Sequence, residues 1–94
     1  MATQGVTTID FGATGSDYLA TVVTGQASIS GTSDVEAYFM ADSTTDNDED
    51  AHNIAAQLVG LTVGSIVAGT GFTIYATCED EIACGTFKVR WVYN

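Results

Sequence analysis

The end of the chain alternates between apolar and polar side chains with a period of two. Residues 85–94 read GTFKVRWVYN, with apolar side chains at Phe87, Val89, Trp91 and Tyr93. Successive side chains of a β-strand point to opposite faces of its sheet, so this pattern predicts a strand with one face against a core. Lys88 and Arg90, the only two cations of the chain, lie on the other face.

Shorter extended stretches precede this strand and are separated by glycine-containing turns. The predicted strands cover residues 6–11, 18–24, 27–30, 35–41, 54–63, 66–68 and 72–78. Within them, residues 55–58 are equally compatible with a helix. About seven short strands with a turn every ~8–12 residues predict a small all-β antiparallel sandwich of jelly-roll or immunoglobulin-like type, with residues 1–94 as one domain. We predict that residues 72–78 and 84–93 pair as a hairpin, because a short loop joins them.

Composition agrees with a folded β domain. Hydrophobic residues make up 46% of the 94, ten residues are glycine and none is proline. This hydrophobic fraction excludes a disordered chain, which buries too little apolar surface to offset the entropy lost on ordering. Plentiful β-branched and aromatic residues favour sheet over helix.

The formal net charge of −10 excludes two classes of partner. Nucleic-acid binding draws most of its affinity from Lys and Arg that neutralise phosphates, and two cations are too few. The same charge opposes docking on an anionic membrane, and no apolar run approaches the ~20 residues of a spanning helix. The start, MATQGVTTID, lacks the basic and apolar regions of a secretory signal, so we expect folding in a cytoplasm.

Residues 42–53, DSTTDNDEDAHN, concentrate five carboxylates and the only histidine. Asp46, Asp48 and Asp50 have the spacing of the first ligands of an EF-hand loop, but Ala51 and Gln57 replace its glycine and its bidentate glutamate. We therefore favour a solvated loop over a calcium site, and we predict no metal and no cofactor. The loop also suits a short helical turn through His52, capped by Ser43 or Thr44.

His52 and the two cysteines are the remaining candidates for chemistry. With no second histidine a zinc site is disfavoured, so we predict that His52 lies at the surface rather than acting as a ligand or a base. Cys78 and Cys84 flank a five-residue loop and would form a disulfide if they face each other across the predicted hairpin. In a cytoplasm the two thiols would stay reduced, whereas in a protein that works outside the cell they can oxidise to a disulfide.

No catalytic constellation accompanies these residues. The chain has no nucleophile elbow, no glycine-rich phosphate loop ending in lysine, and no serine or cysteine with a partner histidine. We therefore predict that the protein is not an enzyme. Five aromatic residues are compatible with a sugar-stacking platform, although Trp91 on the core face favours packing; they are Tyr18, Tyr38, Tyr75, Trp91 and Tyr93.

Several blocks spread over the chain resemble a family of small proteins encoded in the genomes of tailed bacteriophages. They are TTIDFG (7–12), VVTGQASI (22–29), VEAYF (35–39), DNDEDAH (46–52), VAGTGFTIYA (67–76) and GTFKVRWVYN (85–94). The resemblance implies a small β protein that is a component of the virion. The family has no assigned catalytic residues, so none is transferred here. Its members differ between the GTGFTIYA block and the last strand, where this chain has CEDEIACG.

We therefore expect a virion structural protein, either a capsid decoration or cement subunit or a small tail-associated subunit. Its partners would be other virion proteins and further copies of itself. Lys88, Arg90 and Glu36 are the predicted assembly contacts, with Glu36 a local partner of the cations. Residues 1–11 would form an edge strand or an arm that exchanges between subunits. The alternative is a binding module on the particle surface that recognises a host glycan or the cell envelope through its tyrosines and the acidic loop.

Overall fold

A computed structural model describes residues 2–79 and 81–94, which form two antiparallel sheets packed face to face. The elements within these residues are β1 (Thr3–Asp10), β2 (Tyr18–Val23), β3 (Val35–Phe39), α1 (Glu49–Leu58), β4 (Val59–Val67), β5 (Gly71–Cys78) and β6 (Thr86–Tyr93). The first sheet has the order β1-β6-β3 and the second has the order β2-β5-β4. The predicted all-β sandwich is confirmed, with six strands and one helix in the described residues.

The inner faces of β5 and β6, the central strands of the two sheets, form most of the core. The predicted alternation is confirmed in both strands by their buried side chains, which are Phe72, Ile74, Ala76, Cys78, Phe87, Val89, Trp91 and Tyr93. The Phe72 and Trp91 rings meet edge to face with their centroids 5.4 Å apart. Aromatic pairs favour this geometry because the positive edge of one ring faces the negative face of the other.

The predicted hairpin between residues 72–78 and 84–93 is wrong. β5 and β6 lie in different sheets and pack against each other through side chains. Each is flanked on both sides by other strands, β5 by β2 and β4, and β6 by β1 and β3. The connection between them therefore crosses from one layer of the sandwich to the other.

Two other predicted strands differ in the structure. Residues 27–28 form a turn, and the buried side chain of Ile29 reaches the core from that loop. The stretch 54–63 divides into the end of α1 and the start of β4, because Val59 has an extended backbone and ends the helix. β4 then continues to Val67 through an irregularity in its pairing after Gly64, so residues 66–68 are not a separate strand.

β1 lies at an edge of the first sheet and pairs with β6 along its whole length, from Thr3 opposite Tyr93 to Asp10 opposite Thr86. Ile9 is buried in the core. Gly5 lies directly under the Trp91 ring, where a Cβ atom would overlap the indole. The strand is therefore an integral part of the sandwich in this structure, and its exchange between subunits stays a prediction.

The helix α1 begins within the acidic stretch, where no apolar pattern marks it. Asp48, rather than Ser43 or Thr44, is the N-cap, because its side chain accepts a hydrogen bond of 2.9 Å from the Ala51 N–H. Glu49 and Asp50 in the first turn stabilise the helix, because their negative charges lie near the positive end of its dipole. The buried residues of the helix are His52 and Ala55, so this side of α1 covers the sandwich beside β3 and β4.

Candidate assembly face

The predicted assembly residues lie together on the outer side of the first sheet, which we call the charged face. Its outward side chains are Gln4, Val6, Thr8 and Asp10 from β1, Lys88, Arg90 and Val92 from β6, and Glu36 and Tyr38 from β3. Both cations of the chain are therefore on the central strand of this face. The alternation of residues 86–93 places them there, as the sequence predicted.

Arg90 occupies the middle of the charged face. In the strand register it lies opposite Val6 on one side and Tyr38 on the other, and these two side chains are 46% and 47% exposed. Its Nη1 donates a hydrogen bond of 3.3 Å to Gln4 Oε1. Within the described residues Arg90 forms no ion pair. The guanidinium is thus held by a neutral partner between two exposed apolar groups, and its charge remains available to a partner.

Lys88 has a carboxylate partner, but this is Asp42 and not Glu36. The Lys88 Nζ atom lies 3.4 Å from Asp42 Oδ1. β3 ends at Phe39, opposite Val89, and the departing chain brings Asp42 to the amine. Glu36 lies opposite Val92, further along the strand. The register thus places Glu36 four positions from Lys88, and within the described residues it forms no ion pair with either cation. Its role as an assembly contact stays a prediction.

Two hydrogen-bond donors set the ionisation of Asp42. The Ser43 backbone N–H donates to Asp42 Oδ1 at 2.7 Å and, together with the Lys88 amine, holds the pKa of this carboxyl below its ordinary value. Lys88 and Asp42 are each about a third exposed, at 36% and 35%. Solvent therefore screens the pair, and its contribution to stability is small.

His52 lies beneath Lys88 and is fully buried, so its predicted surface position is wrong. The Lys88 backbone N–H donates to His52 Nε2 at 2.9 Å, which leaves the hydrogen on Nδ1 to donate to the Asp48 carbonyl 2.8 Å away. Both ring nitrogens are thus occupied by backbone groups, and the ring packs 5.1 Å from the Phe87 ring. In this arrangement His52 joins α1 to β6 and is available neither as a ligand nor as a base.

The acidic stretch is tied to the start of β6 instead of being merely solvated. Asp46 Oδ2 accepts hydrogen bonds from the Thr86 N–H at 3.0 Å and from the Thr86 hydroxyl at 2.8 Å. Asn47 Nδ2 donates to the Thr86 carbonyl at 2.8 Å. Gly85 has a φ of +77°, and an added Cβ would lie 2.8 Å from the Asp46 Cβ. The loop therefore closes over the glycine at the start of β6, and Asp46 and Asp48 hold backbone groups of the protein.

The two cysteines are free thiols in the structure. Cys78 is buried at the end of β5, and Cys84 is exposed before β6. Burial raises the pKa of the Cys78 thiol, so its reactive thiolate is disfavoured. Without the predicted hairpin, the geometric reason for a Cys78–Cys84 disulfide is lost, and the pairing itself stays a prediction.

The aromatic residues that suggested a sugar platform divide among three places. Trp91 and Tyr93 are buried and stack 5.9 Å apart in the core, while Tyr38 lies on the charged face. Tyr18 and Tyr75 lie on the outer side of the second sheet, which we call the neutral face. Its outward side chains include Tyr18, Ala20, Val22, Thr62, Tyr75 and Thr77.

Comparison with known proteins gives no family for the chain. No family model matches its sequence, and no curated protein matches it either. No helix among the described residues has the length and apolar character needed to cross a membrane.

Proposed function

We propose that the protein is a structural component of a tailed-bacteriophage virion, made in the host cytoplasm and assembled on the particle as a homo-oligomer. Its role would be that of a capsid decoration or cement subunit, or of a small tail-associated subunit. The observation that carries this proposal is the charged face, where an acidic chain gathers its only two cations on one central strand. The resemblance of several sequence blocks to a phage family supports placing this face on a phage particle.

The chemistry of the charged face suits an acidic patch on another virion protein. A planar guanidinium binds a carboxylate through two parallel hydrogen bonds, and Arg90 has no ion pair within the described residues. The exposed side chains of Val6 and Tyr38 flank it and would exclude water from such a contact. An Arg beside an exposed aromatic is also the composition found at the centres of protein interfaces.

The edges of the first sheet offer a route to self-association. β1 and β3 each pair on one side only, so each presents backbone groups on its open side. A neighbouring subunit can extend the sheet there, or exchange residues 1–11 with its own, through main-chain hydrogen bonds. Exchange would place Ile9, which is buried, in the core of the partner. Repetition of one such contact by symmetry is how identical subunits cover a particle.

The proposal is tested on particles. Mass spectrometry of purified virions should find the chain, and its absence would refute a virion role. Added wild-type protein should bind particles that lack it, and Arg90→Glu should weaken this binding at least about tenfold, as expected for a reversed interfacial charge. The control is the double variant Val22→Glu and Thr62→Glu on the neutral face. The double variant lowers the net charge by two units, as Arg90→Glu does. If the two variants weaken binding to the particles equally, the charged face is rejected as the docking surface.

The alternative function is a binding module, displayed on the particle, that recognises a host glycan or the cell envelope. One observation favours it: the exposed Tyr18 and the part-buried Tyr75 form a stacked pair on the neutral face. Binding of the isolated chain to host cells, with no binding to particles that lack it, would select this alternative over a cement subunit.

A further inference from the structure

The neutral face is free of charge although the chain carries a net charge of −10. None of the outward residues on β2, β4 and β5 is an aspartate, glutamate, lysine, arginine or histidine. The acidic residues nearest in sequence, Asp17 and Glu79, lie just beyond the ends of β2 and β5. A surface with this composition does not repel an uncharged ligand and offers nothing to pair with a charged one.

Tyr75 is held on this face by two neighbours on β4. A Cβ added at Gly64 would lie 3.3 Å from Tyr75 Cε2, so the ring rests on the backbone where the side chain is missing. The Tyr75 hydroxyl forms a hydrogen bond of 2.7 Å with the Ser65 hydroxyl. The ring is therefore fixed at both its edge and its tip.

Ser65 adopts a backbone conformation that residues other than glycine rarely adopt. Its φ is +51°, the only positive φ at a non-glycine residue in the described part of the chain. The pairing of β4 with β5 becomes irregular at the same place, between Gly64 and Val67. Irregularities of this kind redirect a side chain, and strained residues concentrate at functional sites. Here the redirected group is the hydroxyl that holds Tyr75.

Tyr18 completes the platform from the neighbouring strand. Its ring stacks beside that of Tyr75 with centroids 6.5 Å apart and planes inclined by 27°, and its side chain is 50% exposed. Thr62 and Thr77, which carry hydroxyl groups, are exposed residues on the same face. Two nearly parallel rings bordered by hydroxyl groups provide stacking surface and hydrogen-bond partners without charge.

The two rings lie on adjacent strands of the neutral face. Strands lie about 4.8 Å apart and rise about 3.4 Å per residue, so three strands over five residues span roughly 14 by 17 Å. The centroids of the Tyr18 and Tyr75 rings are 6.5 Å apart on this surface. A ligand made of two or more linked rings can therefore contact both tyrosines at once.

We propose that the neutral face binds an uncharged oligosaccharide whose sugar rings stack on Tyr18 and Tyr75. The C–H groups on one face of a pyranose carry partial positive charge and meet the negative face of an aromatic ring. Sugar hydroxyls bond to the threonine hydroxyls beside the rings. This inference rests on the alternative function, the glycan-binding module, and names its ligand class. It does not depend on the assembly role, because the charged face lies on the opposite side of the sandwich.

The test probes the full chain against an array of uncharged oligosaccharides of glucose, galactose, mannose, rhamnose and N-acetylglucosamine. Saturable binding to at least one is expected, followed by NMR titration with that sugar to locate the contact at Tyr18 and Tyr75. Tyr18→Ala should weaken binding roughly fivefold to tenfold, the loss of one aromatic contact. Added salt should leave the affinity unchanged, because no charges are paired.

Tyr38→Ala is the matched control, since Tyr38 is 47% exposed and Tyr18 is 50% exposed, on opposite faces. It should leave sugar binding unchanged, as should Arg90→Glu, which separates this site from the assembly role. Ser65→Gly keeps the backbone conformation accessible but frees Tyr75, so it should weaken binding about threefold.

Three results would overturn the proposal. The first is that no uncharged sugar on the array binds saturably. The second is that Tyr18→Ala and Tyr38→Ala lose affinity equally. The third is that the wild-type chain forms a dimer in sedimentation, that Val22→Glu converts this dimer to a monomer, and that sugar has no effect on it. In that case the face is an interface between copies.

Discussion

The two outer faces of the sandwich are built alike and carry opposite chemistry. Each is the solvent side of a three-stranded antiparallel sheet whose central strand fills the core from its other side. The charged face bears both cations of the chain. The neutral face bears none of its charges and displays two stacked tyrosines instead. We therefore propose different partners for the two surfaces of one fold, an acidic protein on one side and an uncharged oligosaccharide on the other.

The faces also differ in what holds their side chains in place. Below the charged face, the buried His52 bonds the backbone at Lys88, and the buried Trp91 donates from its Nε1 to Thr7 Oγ1 at 3.0 Å. The charged face therefore depends on polar contacts within the core. On the neutral face, Tyr75 is held by Ser65 at the surface of its own sheet. We infer that damage to the core disturbs the first face more than the second.

The largest effect should follow from removal of the buried imidazole below the charged face. His52→Phe retains a ring of similar size but leaves the Lys88 N–H without its partner, while the Asp48 carbonyl keeps its hydrogen bond of 3.1 Å from the backbone N–H of residue 52. A buried, unpaired polar group costs about 1–3 kcal/mol, so we expect a loss of about 1–3 kcal/mol in the free energy of unfolding. Urea denaturation measures this loss.

The adjacent exposed residue provides the control for His52→Phe. Asn53→Ala alters the same helix at the surface and should change stability by no more than about 0.5 kcal/mol. In NMR spectra of His52→Phe, the amide signals of Lys88 and Arg90 should move while those of Tyr18 and Tyr75 stay in place. Equal shifts on both faces would contradict the idea that they are supported separately.

A second prediction concerns the two cysteines, which lie in or next to strands of different sheets. Cys78 lies on β5 in the neutral sheet, and Cys84 precedes β6 in the charged sheet. Without reductant, iodoacetamide should label Cys84 and leave Cys78 roughly tenfold or more slower, because burial raises the pKa of Cys78. Mass spectrometry of the native and the unfolded chain measures the labelling rate of each cysteine. If no label enters until reductant is added, the predicted disulfide is present and fastens the two sheets together.

The sequence predicted the layers of the fold better than their connections. The period of two along residues 72–78 and 85–94 identified both central strands and their core faces, because burial of one sheet face imposes that period directly. It also placed Lys88 and Arg90 on the outer face. Strand partners are set by how the whole chain packs, so adjacency along the chain wrongly suggested a hairpin of β5 with β6.

The residues that hold the two faces in place show no sequence pattern that predicts these roles. His52 is a single polar residue in an acidic stretch, and its burial depends on β3 ending at Phe39 and leaving the Lys88 N–H without a strand partner. Asp48 follows two other capping candidates, Ser43 and Thr44. Gly64 and Ser65 predict a turn, whereas the structure uses them inside β4 to seat Tyr75. Each of these roles arises from contacts distant in sequence.

A third prediction tests whether the neutral face stores strain at Ser65. Ser65→Gly and Ser65→Ala both remove the hydroxyl that holds Tyr75, but only glycine adopts a φ of +51° at no steric cost. Ser65→Gly should therefore be the more stable of the two by about 1 kcal/mol. At Thr62, in regular strand, the order should reverse, with alanine more stable than glycine by roughly 0.5–1 kcal/mol. The same order at both positions, measured by urea denaturation, would show that Ser65 is not strained.

The smallest effect is expected at the ion pair on the charged face. The Ser43 N–H and the Lys88 amine lower the pKa of Asp42 from its ordinary value of 3.8 in the folded chain. A lowered pKa contributes stability above the unfolded value, and this contribution is lost as the pH falls through the folded value. Asp42→Asn should therefore lower the urea midpoint slightly near neutral pH and should have no effect well below the ordinary pKa.

Glu36→Gln separates this local pair from the general repulsion among twelve acidic residues. Both variants remove one carboxylate from the charged face or its border, and relief of repulsion alone would stabilise both. If the contact of Asp42 with Lys88 and Ser43 outweighs that relief, Asp42→Asn is less stable than Glu36→Gln, and high salt reduces the difference by screening the exposed pair. Equal midpoints at low salt would mean that Lys88 is as free of a functional ion pair as Arg90, and the charged face would then offer two available cations to its partner instead of one.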